Sequence, residues 1–379
     1  MGLARKIFWG SVAGLVHTHV TYPLSLAALE RLRGRRTVPP VPAELPAVSL
    51  IVAAFDEEDV IAAKVADALA QEYPREQLEL IVASDGSSDR TVELARAAGA
   101  DMVLDLPRAG KIATQNAAVE RSGGEIVAFS DANSVWEPGA LAALVAAFAD
   151  GDVGYVCGRV AFTGDAGGDN EEGLYWRYET AVRDLESGLG GITAGNGAIY
   201  AVRRAAYRFL PPSRSHDLSF PFVLRKDGWR SVEVAAARAS EKLVPSAAGE
   251  FARKRRMMVG LPDIVIADRM WDPRGYGPLF GYEIVSHRLL RYASPLLHVL
   301  ALLANLTLLR RGRLYRFALA AQAGLLAAAA AGDSAPAAAG RIGRIARYYV
   351  LVTTSIALGA WDRWRNGPPA AWEKSEGTR

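Results

Sequence analysis

Short apolar runs rich in β-branched residues recur in the first half of the chain. These runs span 48–54, 78–83, 102–104 and 126–129. Their composition is typical of strands that are buried on both faces of a sheet. Residues 91–98 have helical character, and the acidic cluster at 56–59 suits the first turn of another helix. Strands that alternate with helices predict an α/β domain with a mostly parallel sheet and helices on both faces.

Polar side chains follow two of these runs. Asp85 comes just after the run at 78–83, and Asp131 and Asn133 come after the run at 126–129. The carboxyl ends of parallel strands meet at one edge of a sheet, and ligands bind there in open α/β folds. Asp131 and Asn133 are two positions apart, so their side chains share one face of an extended segment. Because Mg²⁺ prefers oxygen ligands and shares them with substrate phosphates, the pattern predicts a metal-held diphosphate.

Each of these residues also has an ordinary structural explanation. Asp85 either accepts hydrogen bonds from a base or ribose or closes a turn before the next helix. Asn133 either ligates a metal or caps the helix that begins near Pro138. Lys111, which follows Gly110, either neutralises a diphosphate oxygen or is a solvated surface lysine. Two acidic strand ends in one domain favour the functional interpretation.

The segment after residue 170 adds four candidates. Asp217 opens an amphipathic segment and is either a helix cap or a general base that deprotonates an acceptor hydroxyl. Arg253 and Arg256 lie in a basic run that cradles phosphates, faces anionic lipids, or does both. Trp176 either stacks on a sugar acceptor or fills the core.

Composition excludes several classes of protein. The chain has 379 residues, with 44 Lys and Arg against 41 Asp and Glu, and this near-balance does not indicate a nucleic-acid partner. A single cysteine, Cys157, excludes an intrachain disulfide and a cysteine-rich zinc site. It also fits a reducing compartment.

Apolar residues concentrate towards both ends of the sequence. The stretch at 7–29 is long enough to cross a bilayer, and the arginines within 31–36 place the following domain in the cytoplasm by the positive-inside rule. Three further hydrophobic segments lie at 289–309, 314–332 and 345–361. The alternatives are a helix that lies in the membrane interface and a buried helical domain.

These segments divide the sequence into three parts. We expect a transmembrane anchor at 1–36, a catalytic domain at 37–285 that includes the basic segment, and a hydrophobic membrane region at 286–379. The proline-rich stretch at 37–42 is expected to be a stiff linker between anchor and domain. The expected location is the plasma membrane, in a multi-pass arrangement with the catalytic domain in the cytoplasm.

An ordered set of short motifs carries a resemblance to a known family. The set comprises Ala54-Phe55-Asp56-Glu57-Glu58, Ser84-Asp85-Gly86-Ser87-Ser88-Asp89, Gly110-Lys111, Ser130-Asp131-Ala132-Asn133, Gly195-Asn196-Gly197-Ala198-Ile199-Tyr200 and His216-Asp217. In this order and spacing, the set resembles the inverting family 2 glycosyltransferases. It is similar to the membrane-anchored branch related to hyaluronan, cellulose and poly-N-acetylglucosamine synthases. The resemblance runs from about Val48 to Arg256.

The resemblance implies a GT-A fold, a nucleotide-diphospho-sugar donor, with a UDP-sugar expected, and a divalent metal, Mg²⁺ or Mn²⁺. Asp131 stands at the first and Asn133 at the last position of the family's Asp-x-Asp metal motif, and Asp85 at the nucleoside position. The implied donor-binding residues are Ala54, Asp56, Glu57, Asp85, Lys111, Asp131, Arg253 and Arg256. On the acceptor side, the implied set is Gly195, Asn196, Gly197 and Trp176. Asp217 matches the catalytic base.

The implied reaction is a single in-line displacement in which Asp217 takes the proton of the attacking hydroxyl. The expected role is cell-envelope or exopolysaccharide synthesis, with a polysaccharide or lipid-linked acceptor and membrane lipids as partners. Transfer of one sugar to a lipid is a second enzymatic interpretation. The alternative from another class is a catalytically inactive sugar-nucleotide-binding or scaffold subunit of a polysaccharide assembly.

Three positions depart from the family pattern. Asn133 replaces the usual metal-binding carboxylate, and its amide oxygen ligates with less charge. Asp56 replaces the usual asparagine of the first motif. Of the Gln-x-x-Arg-Trp motif of processive synthases only Arg256 remains, because Met257 stands at the tryptophan position. The resemblance therefore does not predict processive synthesis.

Overall fold

A sheet of eight strands forms the centre of the protein. The computed structural model describes residues 2–36, 44–163, 171–242, 247–331 and 337–367, so the predicted linker at 37–42 lies outside the described residues. The strands are β1 (Val48–Ala54), β2 (Leu78–Asp85), β3 (Met102–Leu106), β4 (Ile126–Asp131), β5 (Val135–Trp136), β6 (Val153–Thr163), β7 (Ile199–Arg203) and β8 (Arg230–Lys242). The four strands predicted from the apolar runs are confirmed as β1, β2, β3 and β4.

The sheet is mixed, with strand order β3-β2-β1-β4-β7-β6-β8-β5. β1 lies between β2 and β4 and is parallel to both, and β2 is also parallel to β3. From β7 onward the direction changes: β7 runs antiparallel to β4 and to β6, and β5 runs antiparallel to β8, while β6 and β8 are parallel. The expectation of a mostly parallel sheet is therefore wrong for the second half. The direction of β7 depends on a long connection through a helix, which no local residue pattern reveals.

Both faces of the sheet are covered, as the apolar runs predicted. Every residue of β1 is buried, and its side chains alternate between two hydrophobic clusters. Leu50 and Val52 belong to the cluster on one face, and Ile51 belongs to the cluster on the other. Two-sided burial explains why this strand lacks the polar alternation of a solvent-facing sheet.

The α-helices surround the sheet and are joined by loops and by 3-10 and π-helical segments. They are α1 (Leu3–Val16), α2 (Tyr22–Arg33), α3 (Ile61–Leu69), α4 (Thr91–Ala97), α5 (Lys111–Arg121), α6 (Ala140–Ala146), α7 (Glu171–Leu189), α8 (His216–Lys226), α9 (Ala247–Met258), α10 (Gly277–Glu283), α11 (Leu290–Tyr292), α12 (Ser294–Leu308), α13 (Arg313–Ala331) and α14 (Ala337–Asn366). A π-helical turn joins α1 to α2, and another joins α10 to α11.

Membrane-spanning character is concentrated in one helix. Among the described residues, α13 alone is long and apolar enough to cross a bilayer, and the bent pair Gly277–Tyr292 and Ser294–Arg311 becomes a second candidate if its two parts, 65° apart, form one span. The segment predicted at 314–332 thus corresponds to α13, and that at 289–309 falls on the bent pair. The predicted anchor at 7–29 and the segment at 345–361 are helical, but neither contains a helix that is long and apolar enough to meet the criterion that α13 meets.

Candidate active site

The predicted polar strand ends do meet at one edge of the sheet. In the register of the parallel strands, Ala54 of β1 lies opposite Ser84 of β2, and Ala53 lies opposite Asp131 of β4. Three strands therefore end at the same level, and the residues that follow them face one region. This edge is the place where open α/β sheets bind ligands.

Asp85 is fully buried and holds the backbone that precedes α5. Its carboxylate accepts hydrogen bonds from the backbone N–H groups of Ala109 at 2.7 Å and Gly110 at 2.9 Å, and from the hydroxyl of Thr114 at 3.1 Å. Gly110 has φ +93°, a left-handed conformation that glycine adopts without strain. The structure thus gives Asp85 the task of fixing the turn that leads into Lys111. Its predicted contact with a nucleoside stays a prediction.

Lys111 and Asp131 form an ion pair across this edge. Lys111 is the first residue of α5, and its ammonium contacts Oδ1 of Asp131 at the end of β4. Burial opposes the lysine charge, but the carboxylates of Asp131 and Asp217 outweigh it and raise the pKa of Lys111. Lys111 is therefore a permanent cation at the site, and the interpretation as a solvated surface lysine is wrong.

Asp217 begins α8 close to this pair. Ser215 occupies the N-cap position of the helix, and its side chain hydrogen-bonds the Asp217 carboxylate. The backbone carbonyl of Asp217 accepts a 2.8 Å hydrogen bond from the N–H of Gly195. Burial raises the pKa of the Asp217 carboxyl, while Ser215 and the Lys111 charge oppose the shift. A carboxylate of raised pKa beside a fixed cation is suited to accept a proton.

The loop at Gly195-Asn196-Gly197 is built by its own hydrogen bonds. The amide of Asn196 donates to the carbonyl of Gly158 at 2.6 Å, and its oxygen accepts from the backbone N–H of Ile199 at 3.0 Å. A Cβ at Gly195 would lie 2.0 Å from the hydroxyl of Tyr155, so no side chain fits there. Asn196 and Gly195 therefore shape the loop. Gly197 borders the charged pair, because a Cβ at that position would lie 3.7 Å from Nζ of Lys111.

The first motif is tied to the turn after β2. Oδ1 of Asp56 accepts from the backbone N–H of Ser88 at 2.8 Å, and the backbone N–H of Glu57 donates to Oγ1 of Thr91 at 2.8 Å. Glu57 is buried, and Ala54 is the buried last residue of β1. These predicted donor-binding residues hold two adjacent strand ends together.

The predicted phosphate-binding arginines and the predicted stacking tryptophan lie in the helical part. Arg253 of α9 pairs with Glu250 at 2.8 Å, and Arg256 lies on the same helix. Trp176 of α7 lies against Phe162, with ring centroids 5.3 Å apart. The helices α9 and α14 pack together, so the two arginines lie on a helix that contacts the C-terminal helices.

Asn133 follows β4 in a turn in which the N–H of Ser134 bonds the carbonyl of Asp131 at 3.2 Å. No group of three or more His, Cys, Asp or Glu side chains within the described ranges is arranged to hold a metal ion. One carboxylate and one amide oxygen fit a Mg²⁺ or Mn²⁺ ion whose other ligands come from substrate phosphates and water. The donor set therefore fits a metal that binds together with a diphosphate.

Sequence reasoning missed a buried polar group behind the Gly195 loop. Glu186 of α7 accepts hydrogen bonds from the hydroxyl of Tyr22 at 2.6 Å and the N–H of Thr193 at 3.0 Å, and lies 2.6 Å from Nδ1 of His287. Arg288 donates to the hydroxyl of Thr193 at 2.8 Å. The group connects the N-terminal helix to the loop. Its members are far apart in sequence, so no local signal reveals them.

Residues 49–208 match the family model described as Glycosyl transferase family 2. This part of the chain is similar to the family 2 glycosyltransferases. The match supports the predicted family, and it includes the strand ends, Lys111 and Asp131. The membrane-anchored branch related to hyaluronan and cellulose synthases is not distinguished by this match.

Two curated relatives are similar over part of their length. Glycosyltransferase AglE of Haloferax volcanii is 30% identical over 141 residues, which cover 36% of this chain and 45% of that protein. Beta-monoglucosyldiacylglycerol synthase of Trichormus variabilis is 30% identical over 245 residues, 59% of this chain and 50% of that protein. The chain thus spans about half the length of these curated relatives.

A solved structure matches almost the whole chain. The mannosyltransferase PcManGT of Pyrobaculum calidifontis, solved in complex with GDP-Man and Mn²⁺, superposes with a TM-score of 0.76 at 22% identity, covering 96% of this chain and 99% of that one. This match shows a shared fold, so the predicted GT-A fold is confirmed with a mixed sheet.

Proposed function

We propose that this protein is a membrane-bound inverting glycosyltransferase that moves a sugar from a nucleotide-diphospho-sugar to a hydroxyl of an acceptor. The observation that carries the proposal is the meeting of Lys111, Asp131 and Asp217 at the strand-end edge of a family 2 domain. A cation, a carboxylate that can ligate a metal and a half-buried carboxyl of raised pKa are the groups that this reaction needs. Asp85 and Asp56 support the proposal because they fix the backbone around these groups.

The chemistry follows from the position of the three side chains. The carboxylate of Asp217 takes the proton of the acceptor hydroxyl as that oxygen bonds to the anomeric carbon. The bond from the anomeric carbon to the diphosphate oxygen breaks on the opposite side, and the nucleoside diphosphate leaves with the electron pair. Attack opposite to the leaving group inverts the anomeric configuration. Lys111 stabilises the negative charge that develops on the diphosphate.

We assign the divalent ion to Asp131 and Asn133, with the diphosphate supplying further oxygens. When bound, the ion neutralises charge on the leaving diphosphate. Because Lys111 contacts Asp131, the lysine has to release that carboxylate when the ion binds. The solved relative PcManGT holds Mn²⁺ with its sugar nucleotide, which supports a divalent ion for this chain.

The proposed membrane location rests on the apolar surface of the C-terminal helices. Large side chains that are exposed on α12 and α13 include Leu296, Val299, Leu303, Leu306, Phe317 and Leu326. An apolar surface of this extent is typical of a membrane or partner contact. We place these helices at the plasma membrane, with the catalytic domain in the cytoplasm and a role in cell-envelope or exopolysaccharide synthesis.

The nature of the acceptor is also a proposal. One curated relative is named as a synthase of a glucosyl diacylglycerol, which supports a lipid or lipid-linked acceptor. Met257 stands at the tryptophan position of the processive motif, and of that motif only Arg256 remains. These departures support the transfer of few sugars instead of processive synthesis. Both GDP-sugars and UDP-sugars are to be tested as donors, because PcManGT is solved with GDP-Man.

The test is nucleotide release by the purified full chain in detergent with membrane lipid. A panel of UDP- and GDP-sugars is assayed with Mg²⁺, with Mn²⁺ and with EDTA, and the anomeric configuration of the product is read by NMR. Metal-dependent release from one donor with an inverted product supports the proposal. Donor binding without any release supports the inactive scaffold, which the amide at Asn133 favours.

A further inference from the structure

A cavity of about 620 Å³ lies between the N-terminal helix, α7, the start of α12 and α14. This volume is within the usual range of about 300–1,000 Å³ for small-molecule sites. Its wall is mostly aromatic and aliphatic, and includes Tyr175, Tyr178, Tyr348, Tyr349, Val352 and Ile356. No residue of the assigned donor site contributes to the wall given for this cavity, so it is a separate site.

Two side chains on this wall, His19 and Arg291, carry buried nitrogen atoms with unmet hydrogen bonds. Within the part of the chain that the structure describes, Nε2 of His19 and both Nε and Nη2 of Arg291 have no hydrogen-bond partner. Nη1 of Arg291 is engaged with Glu179. A buried donor without an acceptor is destabilising, so Nε and Nη2 of Arg291 favour a ligand that brings oxygen acceptors, and Nε2 of the neutral His19 either donates to or accepts from such a ligand.

Tyr292 relates the cavity wall to the proposed catalytic base. Arg291 and Ser294 line the cavity, and Tyr292 lies between them in sequence. Tyr292 is close enough to Asp217 for the two groups to interact electrostatically. The segment 291–294 therefore contributes to the cavity wall and also lies within electrostatic reach of Asp217.

On its other side, the cavity adjoins the apolar helices. α14 supplies one wall and packs against α13, the helix that is long and apolar enough to span a bilayer. α12, whose first residue lines the cavity, also carries exposed leucines. A hydrocarbon chain that leaves a membrane at these helices would therefore contact the apolar residues of α14 in the cavity wall.

We propose that this cavity binds the hydrocarbon chain of a lipid acceptor, with oxygens of the lipid head at His19 and Arg291 and the acceptor oxygen directed to Asp217. The inference rests on the proposed function, because it names the acceptor class of that reaction. The chemistry required is a long apolar chain with an oxygen-bearing head. A glycerolipid and a polyprenyl phosphate both offer it.

The experiment uses the full chain purified in detergent and two photoreactive probes, a diacylglycerol and a polyprenyl phosphate that each carry a diazirine in the chain. Each probe is irradiated with the protein without any sugar nucleotide, and the labelled peptides are identified by mass spectrometry. Labelling in 175–178 and 345–356 by either probe, reduced by the same unlabelled lipid, supports the inference. The probe that labels these peptides more strongly shows whether the cavity binds a glycerolipid or a polyprenyl phosphate. Labelling confined to the exposed faces of α12 and α13 overturns it.

A matched pair of variants on α14 tests the assignment. Val352→Trp fills the cavity, whereas Ile342→Trp adds the same bulk at an exposed position of the same helix. We expect Val352→Trp to lower labelling by about tenfold, and Ile342→Trp to leave it unchanged. Equal labelling of Val352→Trp and the parent protein overturns the inference.

The labelling does not depend on catalysis, so the two proposals fail separately. Nucleotide release without cavity labelling retains the glycosyltransferase and removes the lipid cavity. Cavity labelling without nucleotide release from any donor retains a lipid-binding cavity and removes the enzymatic proposal.

Discussion

The ammonium of Lys111 contacts Oδ1 of Asp131. We assign Lys111 to the donor diphosphate and Asp131 to the metal, so these two groups neutralise each other. A divalent ion and Lys111 therefore compete for one carboxylate. Binding of the diphosphate to Lys111 would free Asp131 for the metal, and binding of the metal to Asp131 would free Lys111 for the diphosphate. This relationship makes metal binding depend on the donor.

Replacement of Lys111 is expected to separate metal binding from catalysis. In Lys111→Met, Asp131 no longer has its competing cation, so Mn²⁺ should bind about tenfold more tightly without donor. Sugar transfer should fall, because the diphosphate loses its stabilising charge. Mn²⁺ binding by electron paramagnetic resonance measures the first effect, with Lys111→Arg as control. Unchanged Mn²⁺ affinity in Lys111→Met contradicts the competition.

Asp85→Ala is expected to loosen the start of α5. The variant removes the acceptor of two backbone N–H groups and one hydroxyl, and hydrogen bonds to a buried charge contribute about 1.5–3 kcal/mol each. We expect a lower melting temperature and a donor KM raised about tenfold. Asp85→Asn, which keeps one oxygen, should lose less. If Asp85 instead selects the base, Asp85→Asn will change the ratio of UDP-sugar to GDP-sugar KM at an unchanged melting temperature.

Gly195 and Gly197 offer a matched comparison. A methyl group at Gly195 would lie 2.0 Å from the Tyr155 hydroxyl, whereas one at Gly197 would meet only the flexible end of Lys111 at 3.7 Å. We expect Gly195→Ala to lower the melting temperature by several degrees, and Gly197→Ala to have a small effect on it. Differential scanning fluorimetry measures both, and Tyr155→Phe in the Gly195→Ala background should recover part of the loss. Equal melting temperatures in the two alanine variants would show that the loop is not constrained at Gly195.

The pH dependence of transfer is expected to report Asp217. Burial raises the pKa of this carboxyl, and a base acts only when it is deprotonated. The rate should therefore fall as the pH drops through this pKa, at a higher pH than an ordinary aspartate gives. Because the Lys111 charge lowers the pKa of Asp217, Lys111→Met should move this limb to still higher pH. A profile of kcat/KM measures both. A limb that does not move in Lys111→Met contradicts the assignment.

The first half of the domain could be predicted because its physical signals are local. Runs such as 48–54 and 126–131 are buried on both faces, so their composition alone marks them as strands. Asp131 was identified because it ends a recognisable strand, and Lys111 because it follows a glycine. Their ion pair was not foreseen, since it depends on the register of β1 against β4.

The second half could not be predicted for the opposite reason. The antiparallel entry of β7 and the long pairing of β6 with β8 depend on connections of more than twenty residues. Glu186 lies on an amphipathic helix and looks like a surface residue in sequence, but it is fully buried. Of the predicted membrane segments, the one that falls on α13 meets the criterion of length and apolar composition, whereas α14 combines apolar stretches with arginines.

Sugar transfer and donor binding, measured side by side in the parent protein and Asp217→Asn, test the central claim most directly. The account predicts that transfer falls by at least about 100-fold, because general bases contribute 10²–10⁴-fold, while calorimetry finds the donor affinity with Mn²⁺ unchanged within about twofold. Ser215→Ala, which removes only the hydroxyl that bonds this carboxylate, should retain most of the transfer. Full transfer by Asp217→Asn would contradict the claim that Asp217 is the catalytic base.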